Sequence, residues 1–196
     1  MKNTFIYNSK STSKNLVVIN HGVSEGIWSE FVTKISNKAY DSENDTLLVQ
    51  MPYMDRKEAG SSTKELTEEV ESVKLILEKI NYQSYDKIHF IGKSLGGLIL
   101  LNYIYQNRSL LPKDIEITLL GFLIEFTVLK PAEGLKINII QGSRDKYGNK
   151  TQIEEIVKNN SDLNFDVKYI ENADHSYRNT SKEPIYQDEA IGSIRF

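Results

Sequence analysis

The chain has 196 residues and a formal net charge of −3, from 24 Lys plus Arg against 27 Asp plus Glu. At 39% hydrophobic and 26% charged it can bury a core, which excludes a disordered segment, and its charge balance advertises neither nucleic acid nor an anionic membrane as partner. The absence of Cys excludes disulfides, thiolate catalysis and Cys-built metal centres, and three His leave little for a polyhistidine site, so neither a metal nor an organic cofactor is expected.

The start of the chain, Met1 to Asn8, has no apolar signal-peptide core, and the longest apolar runs are too short to span a bilayer. A cytoplasmic location is therefore the expectation. The first element is a weak strand at 4–7, followed by a strong one at 16–20, Leu-Val-Val-Ile-Asn. A helix is predicted over 28–38, where Trp28, Phe31, Val32 and Ile35 fall at helical spacing. A strand at 46–51 and a helix over 63–80 come next; the helix places Leu66, Val70, Val73, Leu77 and Ile80 on one face. Ser61 or Ser62 is its expected N-cap, with Glu65 completing a capping box for Ser62.

Farther along, a strand at 87–92 leads directly into a helix over 95–107 that is apolar almost all round, hence central and buried. Strands follow at 116–121, 136–141 and 165–170, with a short amphipathic helix at 151–159 before the last. Nearly unbroken apolar strands alternating with helices predict an α/β fold: a three-layer αβα sandwich on a mostly parallel, twisted sheet of six to seven strands. No repeat or linker divides the sequence, so residues 1–196 are expected to form one domain. Ligands of such sheets lie beyond the C-terminal strand ends.

At one of those ends stands Gly92-Lys93-Ser94-Leu95-Gly96-Gly97. Gly-x-Ser-x-Gly between strand and helix is the pattern of a nucleophile elbow, where glycines allow the close approach that a strained, exposed serine requires. Gly92-Lys93-Ser94 also ends like a phosphate-binding loop, but that motif needs Gly at position 87, which is Lys87, and a loop where residues 87–91 read as strand. A nucleophilic serine needs a base and an orienting acid. His175 is the one His downstream of Ser94, in the chain order of hydrolases; His89 lies within a strand and reads as packing. The carboxylate partner is expected to raise the His175 pKa from its ordinary value.

Asp145, in Gln141-Gly142-Ser143-Arg144-Asp145 past a strand end, is the preferred acid. Glu125 is its rival, and Asp174 is disfavoured because adjacent side chains diverge. Oxyanion donors are expected at the N–H of Leu95 and in the loop Asn20-His21-Gly22-Val23-Ser24, Val23 first and Ser24 second, with His21 bracing that loop. Tyr53 and Met54 are candidate substrate contacts, as are Phe122 and Phe126. The 13 residues of 122–134 are too few for a cap domain.

These motifs, together with Met51-Pro52-Tyr53-Met54 and Ala173-Asp174-His175-Ser176, make the chain resemble the α/β-hydrolase superfamily, in the small lidless branch related to dienelactone hydrolases and compact bacterial esterases. The resemblance runs from residue 16 to about 177 and implies a nucleophile at Ser94, an acid at Asp145 and a base at His175. It departs in two places. Dienelactone hydrolases use a Cys nucleophile, so their lactone specificity does not carry over, and His21-Gly22 is not followed by further glycines. The implied function is a cytoplasmic serine hydrolase (carboxylesterase or thioesterase type) acting on a small acyl substrate without cofactor, membrane or nucleic-acid partner, as a monomer or homodimer. The alternative is a binding or scaffolding module on the same fold.

Overall fold

The computed structural model describes residues 4–10, 12–23, 25–61, 63, 65–127 and 129–196. Ser24 and Ser62 therefore lie outside the described residues, and with them the second-choice oxyanion donor and one of the two expected caps.

Among the described residues seven strands form one sheet: β1 Phe5–Asn8, β2 Asn15–Asn20, β3 Asp45–Val49, β4 Lys87–Lys93, β5 Asp114–Leu120, β6 Leu135–Gly142 and β7 Asn164–Ile170. Their spatial order is β1-β3-β2-β4-β5-β6-β7; β1 alone runs antiparallel, against β3. Among the described residues six α-helices accompany them: α1 Glu30–Asp41, α2 Pro52–Asp55, α3 Thr67–Lys79, α4 Leu95–Asn107, α5 Lys150–Asn159 and α6 Gln187–Gly192. The sequence signalled every strand and four of these helices. It gave no signal for α2 and α6, whose few residues are too short for periodicity to show.

The unbroken apolar strands are explained by a core on both faces. Leu16 and Val18 of β2, with Phe90 of β4 and Ile117 of β5, pack beneath α3 and α4. Their alternating neighbours Val17, Ile19, Ile91 and Leu120 join Phe31, Ile35, Ala190 and Ile191 of α1 and α6. α4, apolar all round, is buried along Ile99, Leu100, Leu101, Tyr103 and Ile104. Among its described residues the connection from β5 to β6 holds a single 3₁₀ turn, Ile124–Phe126, and no cap domain.

Two helix starts differ from expectation. α1 begins at Glu30, because Ser29 caps it by accepting from the Val32 N–H at 3.2 Å. Trp28 consequently falls outside the helix and is 73% exposed, while Ile27 takes the buried place. α3 begins four residues late: Leu66 adopts a left-handed conformation at φ 55°, and Ser61 donates to Glu69 Oε2 rather than capping. β3 ends early, at Val49, because the Met51 N–H leaves the ladder for His21 Nε2.

β2 and β4 are neighbours, yet the chain leaves them in opposite directions across the sheet, toward β3 and β5. This is the topological switch point, where a crevice opens beyond the strand ends. Asn20 pairs with Gly92 there, so the two loops that follow must sit side by side.

The best-defined local signal lies in α5. Asn149 and Gln152 form a reciprocal capping box, with Gln152 N–H to Asn149 Oδ1 at 3.1 Å and Asn149 N–H to Gln152 Oε1 at 3.0 Å. Asn149→Ala is expected to lower the unfolding free energy by about 1 kcal/mol, read as a lower urea midpoint at unchanged m-value. An unchanged midpoint would contradict the capping assignment.

Candidate active site

Ser94 stands between β4 and α4 with φ 53° and ψ −122°, a conformation that non-glycine residues seldom adopt. The flanking glycines are dictated by contact. A Cβ on Gly92 would lie 2.2 Å from Gly97 Cα, and one on Gly96 would lie 2.4 Å from the His21 carbonyl oxygen. The turn is pinned by Ser94 N–H donating to the Leu120 carbonyl at 2.8 Å and Gly97 N–H to the Ser94 carbonyl at 2.9 Å.

The loop after β7 brings His175 over this serine. Ser94 Oγ lies 2.9 Å from His175 Nε2, and His175 Nδ1 lies 2.8 Å from Asp145 Oδ2. The carboxylate can only accept, so Nδ1 carries the imidazole proton and Nε2 is free to accept from the hydroxyl. Asp145 is buried and receives two further bonds, from Gln141 Nε2 at 2.9 Å and the Tyr147 N–H at 2.8 Å. Sequence reading did not single out either helper. Gln141 precedes Gly142-Ser143-Arg144-Asp145 in sequence, but only the fold shows its side chain tying Asp145 to the Gly148 carbonyl and the Phe122 N–H.

Burial is the largest influence on His175 and pushes its pKa below the ordinary 6.5; the Lys93 charge adds to this, against the Asp145 hydrogen bond. The expected upward shift is thus corrected, because desolvation of the imidazolium outweighs the carboxylate.

The remaining residues fall into place around these three. Glu125 is exposed at the rim of a neighbouring cleft, while Asp145 occupies the position beside the histidine. Asp174 turns away, accepting from the N–H groups of Ser176 and Arg178 and from Lys182 Nζ. His21 braces its loop: Nδ1 bonds the Gly22 carbonyl at 2.6 Å while Nε2 accepts from Met51 N–H at 3.0 Å. His89 is buried in the sheet against Thr118 Oγ1 at 2.7 Å. Leu95 opens α4, so its N–H has no partner within the helix, and Val23 borders the site beside Ser94.

Tyr53 is corrected as a substrate contact: it is fully buried, with its ring edge-on to His21 and its hydroxyl toward the Gly22 carbonyl. Met54 packs against the main core, and Phe122 is buried as well. Phe126 does reach the site's surroundings. With Leu66, Leu95, Leu98, Leu123 and Tyr147 it lines an open, mostly apolar cleft of about 730 Å³ next to Ser94 and His175. A smaller, more polar cavity of about 80 Å³ lies against Ser94 as well, lined by Glu25, Lys93, Ser176 and Arg178 among others.

Solved structures share this architecture. A lidless α/β serine hydrolase from Xanthomonas campestris is similar at a TM-score of 0.73 and 12% identity, over 96% of this chain and 86% of that one. The fold is that of the lidless α/β hydrolases. An α/β serine hydrolase homologue from Coxiella burnetii matches this hydrolase fold at a TM-score of 0.73 and 16% identity, covering 98% of this chain and 92% of its own. A protein of Butyrivibrio proteoclasticus, solved with ferulic acid bound, matches at 0.68 and 12% identity, over 97% and 93% of the two chains. No protein-family model matches the sequence, and no curated protein does.

An NMR titration of the imidazole checks the electrostatic account. The His175 midpoint is expected below the ordinary 6.5, and Asp145→Asn, which removes the negative partner, should lower it further. A wild-type midpoint above the ordinary value would contradict the dominance of burial.

Proposed function

We propose that the protein is a serine hydrolase that cleaves an ester, thioester or related acyl bond through an acyl-enzyme. One observation carries this reading: an unbroken hydrogen-bonded chain from a strained, strand-to-helix serine through His175 to a buried carboxylate. Ser94 Oγ attacks the acyl carbonyl as His175 Nε2 takes its proton, and Asp145 holds the imidazole tautomer and stabilises the imidazolium. The Leu95 and Val23 N–H groups serve the tetrahedral oxyanion, a role in which one donor is worth about 10²–10³ in rate. His175 returns the proton to the leaving group, and water repeats the sequence to release the acid. No step calls on a cofactor.

The substrate is a small molecule with an apolar portion, which the cleft of Leu95, Leu98, Leu123, Phe126 and Tyr147 accommodates. Among the described residues no cap covers the cleft, so the substrate reaches Ser94 without a lid movement.

Two kinetic predictions follow from this arrangement. Across p-nitrophenyl esters of graded acyl length, kcat/KM is expected to rise with apolar length, and Leu98→Asp to flatten the trend; a trend unaffected by the substitution would remove the cleft from the substrate path. Asp145→Asn is expected to lower kcat by about 10⁴, the loss seen when a protease triad aspartate is amidated, whereas Glu125→Gln changes it little. With folding verified by circular dichroism, an inactive Gln variant beside an active Asn variant would make Glu125 the acid.

A further inference from the structure

The proposed mechanism gives no role to the cation nearest the imidazole, the half-buried Lys93. Lys93, the residue before the serine, directs its ammonium to the backbone of His175. Its Nζ donates to the His175 carbonyl oxygen at 2.6 Å and sits 5.5 Å from the centre of the Tyr177 ring. The ammonium and the imidazole share one glycine-sized gap: a Cβ on Gly121 would lie 2.7 Å from Lys93 Nζ and 3.1 Å from both Cε1 and Nδ1 of His175. Gly121 itself has φ +62°, so the gap is kept open by a residue that a side chain would strain twice over.

A cation in this place acts on the base in two ways. Its hydrogen bond ties the His175 backbone to the end of β4, the strand that leads directly into Ser94. Its charge opposes formation of the imidazolium, which is the step that activates the serine. We propose that Lys93 is a positioning residue for His175, anchoring the histidine loop to the strand end next to Ser94 and setting the imidazole's basicity by its proton state. This rests on the reading of Ser94, His175 and Asp145 as the hydrolytic machinery.

The charged surroundings define how Lys93 titrates. Burial is the largest influence and pushes the ammonium down to about 8; Asp145 from the loop after β6, Asp174 from the loop after β7 and Glu25 from the loop after β2 favour its charged form. Asp174 is partly engaged by Lys182 at 3.0 Å and Glu25 faces Arg178 at 3.8 Å, so neither is wholly given to Lys93. His175 is faced by Asp145, Lys93 and Asp174, with the Tyr147 ring edge-on at 4.7 Å between centroids. Lys93 therefore loses its proton within the range where an enzyme can be assayed, while His175 is already neutral. Once the ammonium is discharged, the repulsion on the nascent imidazolium is gone.

The test is the pH dependence of the rate at which a fluorophosphonate probe labels Ser94, measured on the intact protein from pH 5 to 10. The wild type is expected to show two rising steps, one as His175 becomes neutral and a second, of roughly three- to tenfold, near the Lys93 value. Lys93→Arg keeps charge and donors and cannot discharge in this range, so it should retain the first step and lose the second. Lys93→Met should show a single step about one pH unit higher than the wild type's first, because the neighbouring cation is gone. A lysine that merely packs would change labelling equally at every pH. A wild-type profile with one step, or a second step that survives in Lys93→Arg, overturns the proposal even if Lys93→Met fails to fold. If wild-type Ser94 is unreactive at every pH, the reading of the site itself fails, and this inference with it.

Discussion

The site depends on how closely the start of α4 approaches the end of β2. Gly96 lies so near the His21 carbonyl that no side chain fits between them, and Gly92 lies equally close to Gly97. That contact forces the chain through Ser94 with a positive φ and sets the hydroxyl above the sheet, with the first turn of α4 behind it. It also seats the His21-Gly22-Val23 loop against the serine. The histidine of that loop is consumed in holding it, one nitrogen on Gly22 and the other on Met51. Any relaxation of this contact would displace Ser94 and the Val23 loop together.

The other half of the site is built on hydrogen bonds rather than on steric contact. Asp145 is buried, and its charge is supported by His175, Gln141 and the Tyr147 N–H. Gln141 comes from β6 itself, so the carboxylate is referenced to the sheet and not to a free loop. The histidine loop is fastened twice, through Asp174 to the N–H groups of Ser176 and Arg178, and through its own carbonyl to Lys93. Serine and histidine are thus joined through β4 as well as through the bond between them.

Much of this was legible in the sequence because the signals were local or periodic. Six of the seven strands stood out as apolar, mostly β-branched runs, with a weak signal for β1, and Gly92-Lys93-Ser94-Leu95-Gly96 marked the turn between β4 and α4. Chain order alone pointed from Ser94 to His175. The choice between Asp145 and Glu125 was harder, since both follow strands; the structure puts one within 2.8 Å of His175 and leaves the other at an exposed rim. Tyr53 was misplaced for a physical reason: α2 turns immediately after Met51 and tucks the ring beneath His21, a contact that spans 32 residues and leaves no pattern in sequence. Lys93 and Gln141 were missed likewise, as alternation says which face a strand residue occupies but not what its side chain reaches at the strand's end. The lowered His175 pKa is a property of burial, which composition cannot disclose.

The central claim is that Ser94 is an activated nucleophile, and covalent capture tests it most directly. Intact-mass analysis after exposure to a fluorophosphonate, followed by peptide mapping, should show a single adduct on Ser94. The adduct should be absent from folded Ser94→Ala and form far more slowly in His175→Ala. Equal labelling of Ser94→Ala, or a wild type that stays unmodified under conditions that label an active serine hydrolase, would contradict the account.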